Sequence, residues 1–288
     1  MLFIGGMILK KGLVLEGGAM RGMFTAGVLD VMMEHQIKIN GIIGVSAGAA
    51  FGCNYKSNQP GRVIRYNTTY SRDSRFCGLS SWIRTGDFYN AAFCYHEIPE
   101  KLDLFDEETF CNSSMEFYAV CTDVETGTPV YHKCESTADE NVEWIRASAS
   151  LPLAARMVSI NNRKYLDGSI SDSIPLKYFQ TLGYDKNIVI LTREKGYLKK
   201  KDSLLPLMNL LLRKHPNILN TMKKRHITYN EQVAYAWNEK ELGNAFIICP
   251  KEPLPISRTE RDFQKLRAVY EIGRQTALEH IDELKHFF

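Results

Sequence analysis

Two strand–turn–helix units within the first 53 residues constrain this chain more than any other feature. Residues 12–16 read Gly-Leu-Val-Leu-Glu, a short apolar run suited to a buried strand. A glycine-rich turn follows at 17–22. Residues 23–35 then carry apolar side chains at helical spacing, at Phe24, Val28, Leu29, Met32 and Met33. Residues 39–45 repeat the strand pattern, and 47–53 are small and apolar, as a helix lying close on a sheet requires. Parallel strands cannot be joined by a tight hairpin. Each needs a crossover, which a helix supplies. The repeat therefore predicts an α/β fold with a mostly parallel sheet and helices on both faces.

Later segments extend this pattern. Strands are expected at 116–122, 128–132, 164–166, 187–192 and 245–249. Helices are expected at 141–150, 175–182, 203–213, 224–240 and 260–284. Residues 59–90 are polar and aromatic and read as helix and loop over the sheet. The 288 residues suffice for one large core, or for a core with an appendage. The character changes after Thr192, where ten cationic side chains lie between Arg193 and Arg225.

Composition removes several function classes. A net charge of +3 is too small for a nucleic-acid footprint, so no nucleic-acid partner is expected. The seven cysteines are odd in number, irregularly spaced and without a Cys-x-x-Cys pair. That pattern fits reduced thiols better than a disulfide framework or a zinc site. No cluster has metal spacing, and neither a metal nor another cofactor is expected. No run of about 18 apolar residues occurs, so a transmembrane helix is not expected. The apolar amino terminus lacks the basic flank and cleavage site of a secretory signal. A cytoplasmic location follows. The basic segment 193–225 allows peripheral contact with an anionic membrane, although a solvated helix face accounts for the same charges. No feature bears on oligomeric state.

Three short segments carry candidate chemistry. Gly44-Val45-Ser46-Ala47-Gly48 fits Gly-x-Ser-x-Gly between a strand and a helix, the setting of a nucleophile elbow. Small neighbours let the backbones approach, and the helix amino terminus favours developing negative charge. A serine-capped turn is the competing reading of the pentapeptide. Gly17-Gly18-Ala19-Met20-Arg21-Gly22 occupies the equivalent earlier turn, where consecutive amides can converge on an oxyanion. A dinucleotide fingerprint fits it less well. Ala19 stands where the central glycine belongs, and Asp30 and Glu34 come too early for a ribose carboxylate. Asp167-Gly168-Ser169 puts a carboxylate at a strand end, and by itself would be an ordinary turn. His215 and His226 satisfy the order of a Ser–Asp–His triad, without any local signature. Residues 59–93 are a lid candidate. Within them Trp82, Phe88, Tyr89 and Phe93 suit either an acyl pocket or ordinary core packing.

These segments, in this order, resemble the patatin-like phospholipase family. The resemblance also takes in Glu16 and the stretch Ala147-Ser148-Ala149-Ser150-Leu151-Pro152. It covers residues 12–192, and 191–197 is more loosely similar to a bacterial subgroup. It implies a three-layer fold, with a catalytic domain at 10–192 and a helical extension at 193–288 packed on or completing the core. It also implies a Ser46–Asp167 dyad without histidine, working through an acyl-enzyme. Backbone oxyanion donors map to Gly17, Gly18 and Ala19, with Arg21 as the basic residue of that loop. Gly22, Gly44, Gly48, Gly168 and Ser169 complete the motifs. The implied substrate is a lipid ester of the phospholipase A or lysophospholipase kind. Thioesterase or acyltransferase activity would use the same intermediate, and a non-catalytic lipid-binding module is the remaining alternative. Ala19 and Ser169 depart from the family pattern, which has glycine at the first position and glycine or alanine at the second.

Overall fold

The computed structural model describes residues 3–4 and 7–287. Strands β1 (Phe3–Ile4) and β2 (Met7–Ile8) form a separate antiparallel ladder. The central sheet contains β3 (Lys11–Leu15), β4 (Gly41–Val45), β5 (Glu116–Asp123), β6 (Pro129–Lys133), β7 (Val158–Ile160), β8 (Arg163–Asp167), β9 (Lys186–Ile190) and β10 (Ala245–Ile248). Its spatial order is β10-β9-β3-β4-β5-β8-β7, with β6 also on β5. Pairing is parallel from β10 across to β5 and antiparallel for β6, β7 and β8.

Eleven α-helices are described. They are α1 (Gly22–Glu34), α2 (Ala47–Lys56), α3 (Arg62–Tyr70), α4 (Leu79–Thr85), α5 (Glu107–Asn112), α6 (Asp139–Ser148), α7 (Leu176–Thr181), α8 (Leu205–Leu211), α9 (Pro216–Glu241), α10 (Phe263–Glu279) and α11 (Ile281–Phe287). A π-type helix, Phe93–Leu102, lies between α4 and α5.

The alternation of side chains along each strand makes the layers. Leu13, Leu15, Ile42, Phe117 and Ile188 face one core with residues of α1, α2, α6 and α10. Val14, Ile43, Val45, Val120 and Val189 face the other with residues of α7 and α9. Both faces of the central strands are therefore dry, which is why those strands read as continuous apolar runs.

The chain beyond Thr192 contributes to every layer. β10 adds the edge strand beside β9. Helix α9 covers one face, and α10 packs on α1 across the other. The α1–α10 crossing is close because glycines meet backbone there. A Cβ on Gly273 would lie 2.1 Å from the Phe24 carbonyl oxygen, and one on Gly27 equally near that of Tyr270. Asp262 caps α10 by accepting from the amides of Gln264 and Lys265.

Several expectations need correction. The helix expected at 260–284 breaks at His280, and the one expected at 224–240 starts earlier, where Pro216 opens α9. The π-type helix, α5 and β7 were not anticipated. The nucleotide reading fails on its carboxylates. Asp30 accepts from Tyr270 Oη at 2.6 Å and from the Gly61 amide at 2.9 Å. Glu34 pairs with Arg274 at 2.8 Å. Both serve helix packing.

The register of β5 positions the site. Val120 pairs with Val45 of β4, while Cys121 pairs with Asp167 of β8. β6 occupies the opposite edge over the same stretch. The parallel strand β4 therefore leaves β5 where the antiparallel strand β8 joins it, and their carboxyl ends meet.

If α10 is part of one cooperative core, Gly273→Val forces α1 and α10 apart. The whole chain should lose roughly 1–3 kcal/mol in a urea melt monitored by circular dichroism. A separate early transition confined to the carboxyl-terminal helices would contradict this.

Candidate active site

Ser46 ends β4 and precedes α2 with φ +57° and ψ −124°. A non-glycine residue rarely adopts this conformation, and it costs on the order of 1–3 kcal/mol. The turn is fixed by several contacts. The Ser46 amide donates to Ser148 Oγ at 2.9 Å, and the amides of Ala49 and Ala50 donate to the Ser46 carbonyl at 3.0 Å. Gly17 lies against it. A Cβ at position 17 would sit 2.7 Å from the Ser46 Cβ, so only glycine permits the approach.

Asp167 is fully buried. Its amide donates to the Ser150 carbonyl at 2.9 Å, and its carbonyl accepts from Thr122 Oγ1 at 2.8 Å. The stretch 147–152 thus ties both residues, Ser148 to Ser46 and Ser150 to Asp167. Asp167 Oδ1 accepts from the Ser169 amide at 2.8 Å. Oδ2 is buried and without a hydrogen-bond partner among the described residues. Burial raises the pKa of this carboxyl above the ordinary aspartate value. Hydrogen bonding from Ser169, the charge of Arg225 and the nearby Ser46 hydroxyl oppose that rise.

The loop at 17–19 faces the serine. Ala19 has φ +48°, so the left-handed conformation survives without glycine. Among the described residues, no acceptor takes the amides of Gly17, Gly18 or Ala19. Glu16, buried, anchors the loop from behind. It accepts from the Thr192 amide at 2.5 Å and from Tyr229 Oη at 2.8 Å. Arg21 is also buried behind the loop and away from the cavity wall. Burial, reinforced by Arg193, lowers its pKa to about 10.

Sequence reasoning missed Arg225. From α9 its Nε donates to the Ser169 carbonyl and its Nη2 to Ser169 Oγ, both at 2.6 Å. The serine that departs from the family pattern is therefore the partner of an arginine far along the chain. No local signal marks Arg225, which is the last of ten basic residues between 193 and 225. No imidazole bonds to Ser46 or Asp167 among the described residues. His226 lines the cavity, and His215 stands at the N-cap position of α9 without a capping bond from its side chain.

A cavity of about 1040 Å³ opens on Ser46. Its lining combines aromatic and aliphatic side chains, among them Phe51, Tyr66, Phe88, Tyr89 and Ile98, with the cations Lys199, Lys200, Lys201, Arg225 and Arg258, besides Arg62, Arg146, Asp87 and Asp202. Trp82 also lines it, whereas Phe93 is buried in a cluster with Phe76 and Cys77. Leu79, Trp82, Leu198 and Leu204 at its margin are 68%, 44%, 70% and 49% exposed. Among the described residues no group could hold a metal ion, and no helix is long and apolar enough to cross a membrane. All seven cysteines are free.

Comparison with known proteins fits this arrangement. The model for "Patatin-like phospholipase" matches residues 13–179, more than half of the chain. The chain belongs to the patatin-like phospholipase family. Residues 215–288 match a second family described as "Domain of unknown function (DUF6363)". The uncharacterized protein YjjU of Escherichia coli is 29% identical, over 92% of this chain and 75% of that protein. Lysophospholipase NTE1 of Candida glabrata is 25% identical over 91% of this chain, which spans only 15% of that longer protein. A patatin-like phospholipase domain-containing protein of Caenorhabditis elegans, ZK370.4, is 25% identical over 95% of this chain and 20% of its own length. Among solved structures, VipD from Legionella pneumophila aligns with TM-score 0.48 and 12% identity, covering 96% of this chain and 67% of that one.

Ser148→Ala would leave the buried Ser46 amide unpaired. A loss of about 1–3 kcal/mol in denaturant midpoint analysis is expected. Unchanged stability would show that the Ser148 hydroxyl does not hold the elbow.

Proposed function

We propose that the chain is a serine hydrolase of lipid acyl esters, with Ser46 as nucleophile and Asp167 as general base. One observation carries this reading. Among the described residues the Asp167 carboxylate keeps one buried oxygen, Oδ2, without a hydrogen-bond partner and feels the hydroxyl of Ser46, a serine on a strained turn, while the amides of Gly17, Gly18 and Ala19 have no acceptor. The amphiphilic cavity and its apolar margin support a lipid substrate. In this reading residues 10–192 form the catalytic unit, and 193–288 complete its core and site.

The chemistry balances with these groups alone. Ser46 Oγ attacks the ester carbonyl as its proton passes to Asp167. The tetrahedral oxyanion is held by the amides of Gly17, Gly18 and Ala19, and one such donor is worth roughly 10²–10³ in rate. The C–O bond to the leaving alcohol breaks, and Asp167 returns the proton to it. Water then attacks the acyl-enzyme with Asp167 again as base, releasing the fatty acid and Ser46. A base with a raised pKa is better matched to this work near neutrality than an exposed aspartate.

A fluorophosphonate probe tests the reading. Wild type should be modified at Ser46, with labelling abolished in Ser46→Ala and reduced by at least about 10²-fold in Asp167→Asn. A well-folded wild type that takes up no probe and hydrolyses no ester in a lipid panel would leave only a binding module.

The dyad also sets a pH dependence. Activity needs ionised Asp167, so kcat/KM falls as pH drops through its raised pKa. Arg225 favours the ionised form. Arg225→Gln should therefore move the acid limb to higher pH, because a force that lowers that pKa is removed. A limb that stays in place, or moves to lower pH, would detach Arg225 from the base.

A further inference from the structure

Five cations, Arg21, Arg193, Lys199, Arg225 and Arg258, lie within electrostatic reach of one another, and Lys199, Arg225 and Arg258 line the cavity that opens on Ser46. Each of Arg21, Lys199 and Arg225 feels others of the set as repulsive neighbours. Among the described residues none of the five forms an ion pair. The carboxylates acting on them are Glu16, Asp167 and Asp202. Glu16 is already held by Thr192 and Tyr229, and Asp167 by Ser169. Lys200 and Lys201 add further positive charge to the wall. Among the described residues the buried Arg21 Nε has no hydrogen-bond partner. Such an excess of partly buried positive charge is unfavourable unless an anion joins it.

The site is built rather than incidental. The Lys199 amide donates to Asn230 Oδ1 at 2.8 Å, and its carbonyl accepts from Asn230 Nδ2 at 3.1 Å. Lys199 Nζ lies 4.3 Å from the centre of the Tyr229 ring. Burial, followed by the charge of Arg225, brings its pKa down to about 7, and a bound anion would restore its proton. Among the described residues Arg225 bonds Ser169 through Nε and Nη2, and no acceptor takes Nη1. Lys199, Arg225 and Arg258 all line the cavity that opens on Ser46, and the Arg258 carbonyl accepts from Tyr89 Oη at 3.5 Å.

We infer that Lys199, Arg225 and Arg258 receive the phosphate of a lipid headgroup, so that the substrate class is an acyl ester bearing a phosphate uncompensated by a cation. The inference rests on the ester-hydrolase reading for its link to Ser46. Ser46 lines the same cavity, so an amphiphile with its chain among the aromatics and its phosphate on these cations would present its ester to the serine. Guanidinium and ammonium donors suit phosphate oxygens, while a choline or ethanolamine group would meet Lys200 and Lys201 and be repelled. Arg225, Tyr229, Asn230 and Arg258 all fall within 215–288, so the domain of unknown function would read the headgroup.

Binding tests this without catalysis. Octyl phosphate, octylphosphocholine and inorganic phosphate are titrated by calorimetry into Ser46→Ala protein. Octyl phosphate should bind about tenfold more tightly than either other ligand. Adding Lys199→Met or Arg258→Gln should weaken octyl phosphate about tenfold and leave octylphosphocholine unchanged. Arg258 is exposed, so its variant stands as the check if Lys199→Met misfolds. Equal affinity for the two octyl ligands, or octyl phosphate binding that survives both substitutions, overturns the inference. Inorganic phosphate binding as tightly as octyl phosphate overturns the lipid assignment in favour of a free anion. The readout does not use Ser46, so its failure leaves the hydrolase reading standing, and failed probe labelling leaves this result interpretable.

Discussion

The site depends on one edge of one strand. β5 is long enough to accept β4 along Glu116–Val120 and β8 along Cys121–Asp123. Two strands of opposite direction therefore end at adjoining residues of a third. One ends in the elbow serine and the other in the aspartate. The two carboxyl ends thus face each other end to end along one edge of β5, rather than lying side by side as in neighbouring parallel strands. Each end is also tied through its own amide, Ser46 donating to Ser148 Oγ and Asp167 to the Ser150 carbonyl. Positioning of this kind lets two residues act together at little conformational cost, because the sheet has already fixed them.

Burial supplies the second half of the arrangement. A carboxylate enclosed in the sheet's mouth is costly unless charge or hydrogen bonds offset it. Asp167 has both, from the Ser169 amide and from Arg225, yet one of its oxygens stays unpaired. Ser169 links them, since its amide bonds the aspartate while its carbonyl and hydroxyl receive Arg225. Replacing the family's usual small residue by serine thus makes sense as half of a pair.

The carboxyl-terminal region contributes to the same candidate site. It provides β10, two covering helices and the Arg225, Tyr229 and Asn230 that reach the site. The basic segment does not act as one face. Lys200, Lys201, Arg213, Lys214, Lys223 and Lys224 are exposed, while Arg193, Lys199 and Arg225 are half-buried. A linear count of charge merges these two groups, whose environments are opposite.

The sequence by itself determined the parallel sheet, the elbow at Ser46, the glycine loop and the candidate aspartate. Each is local. Apolar runs bounded by small residues dictate strands and tight turns within a few positions, whatever the rest of the chain does. Ala19 and Ser169 were visible as departures, but their consequences were not. Only the tertiary structure decided that Ala19 holds the left-handed conformation and that Ser169 has an arginine partner. It also decided that Asp30 and Glu34 serve packing, and that Lys199 is half-buried while Lys200 beside it, on the same cavity, is exposed. These outcomes rest on contacts between residues remote in sequence. Desolvation and charge depend on three-dimensional neighbours, and a pattern of residue types along the chain does not encode which remote side chain arrives.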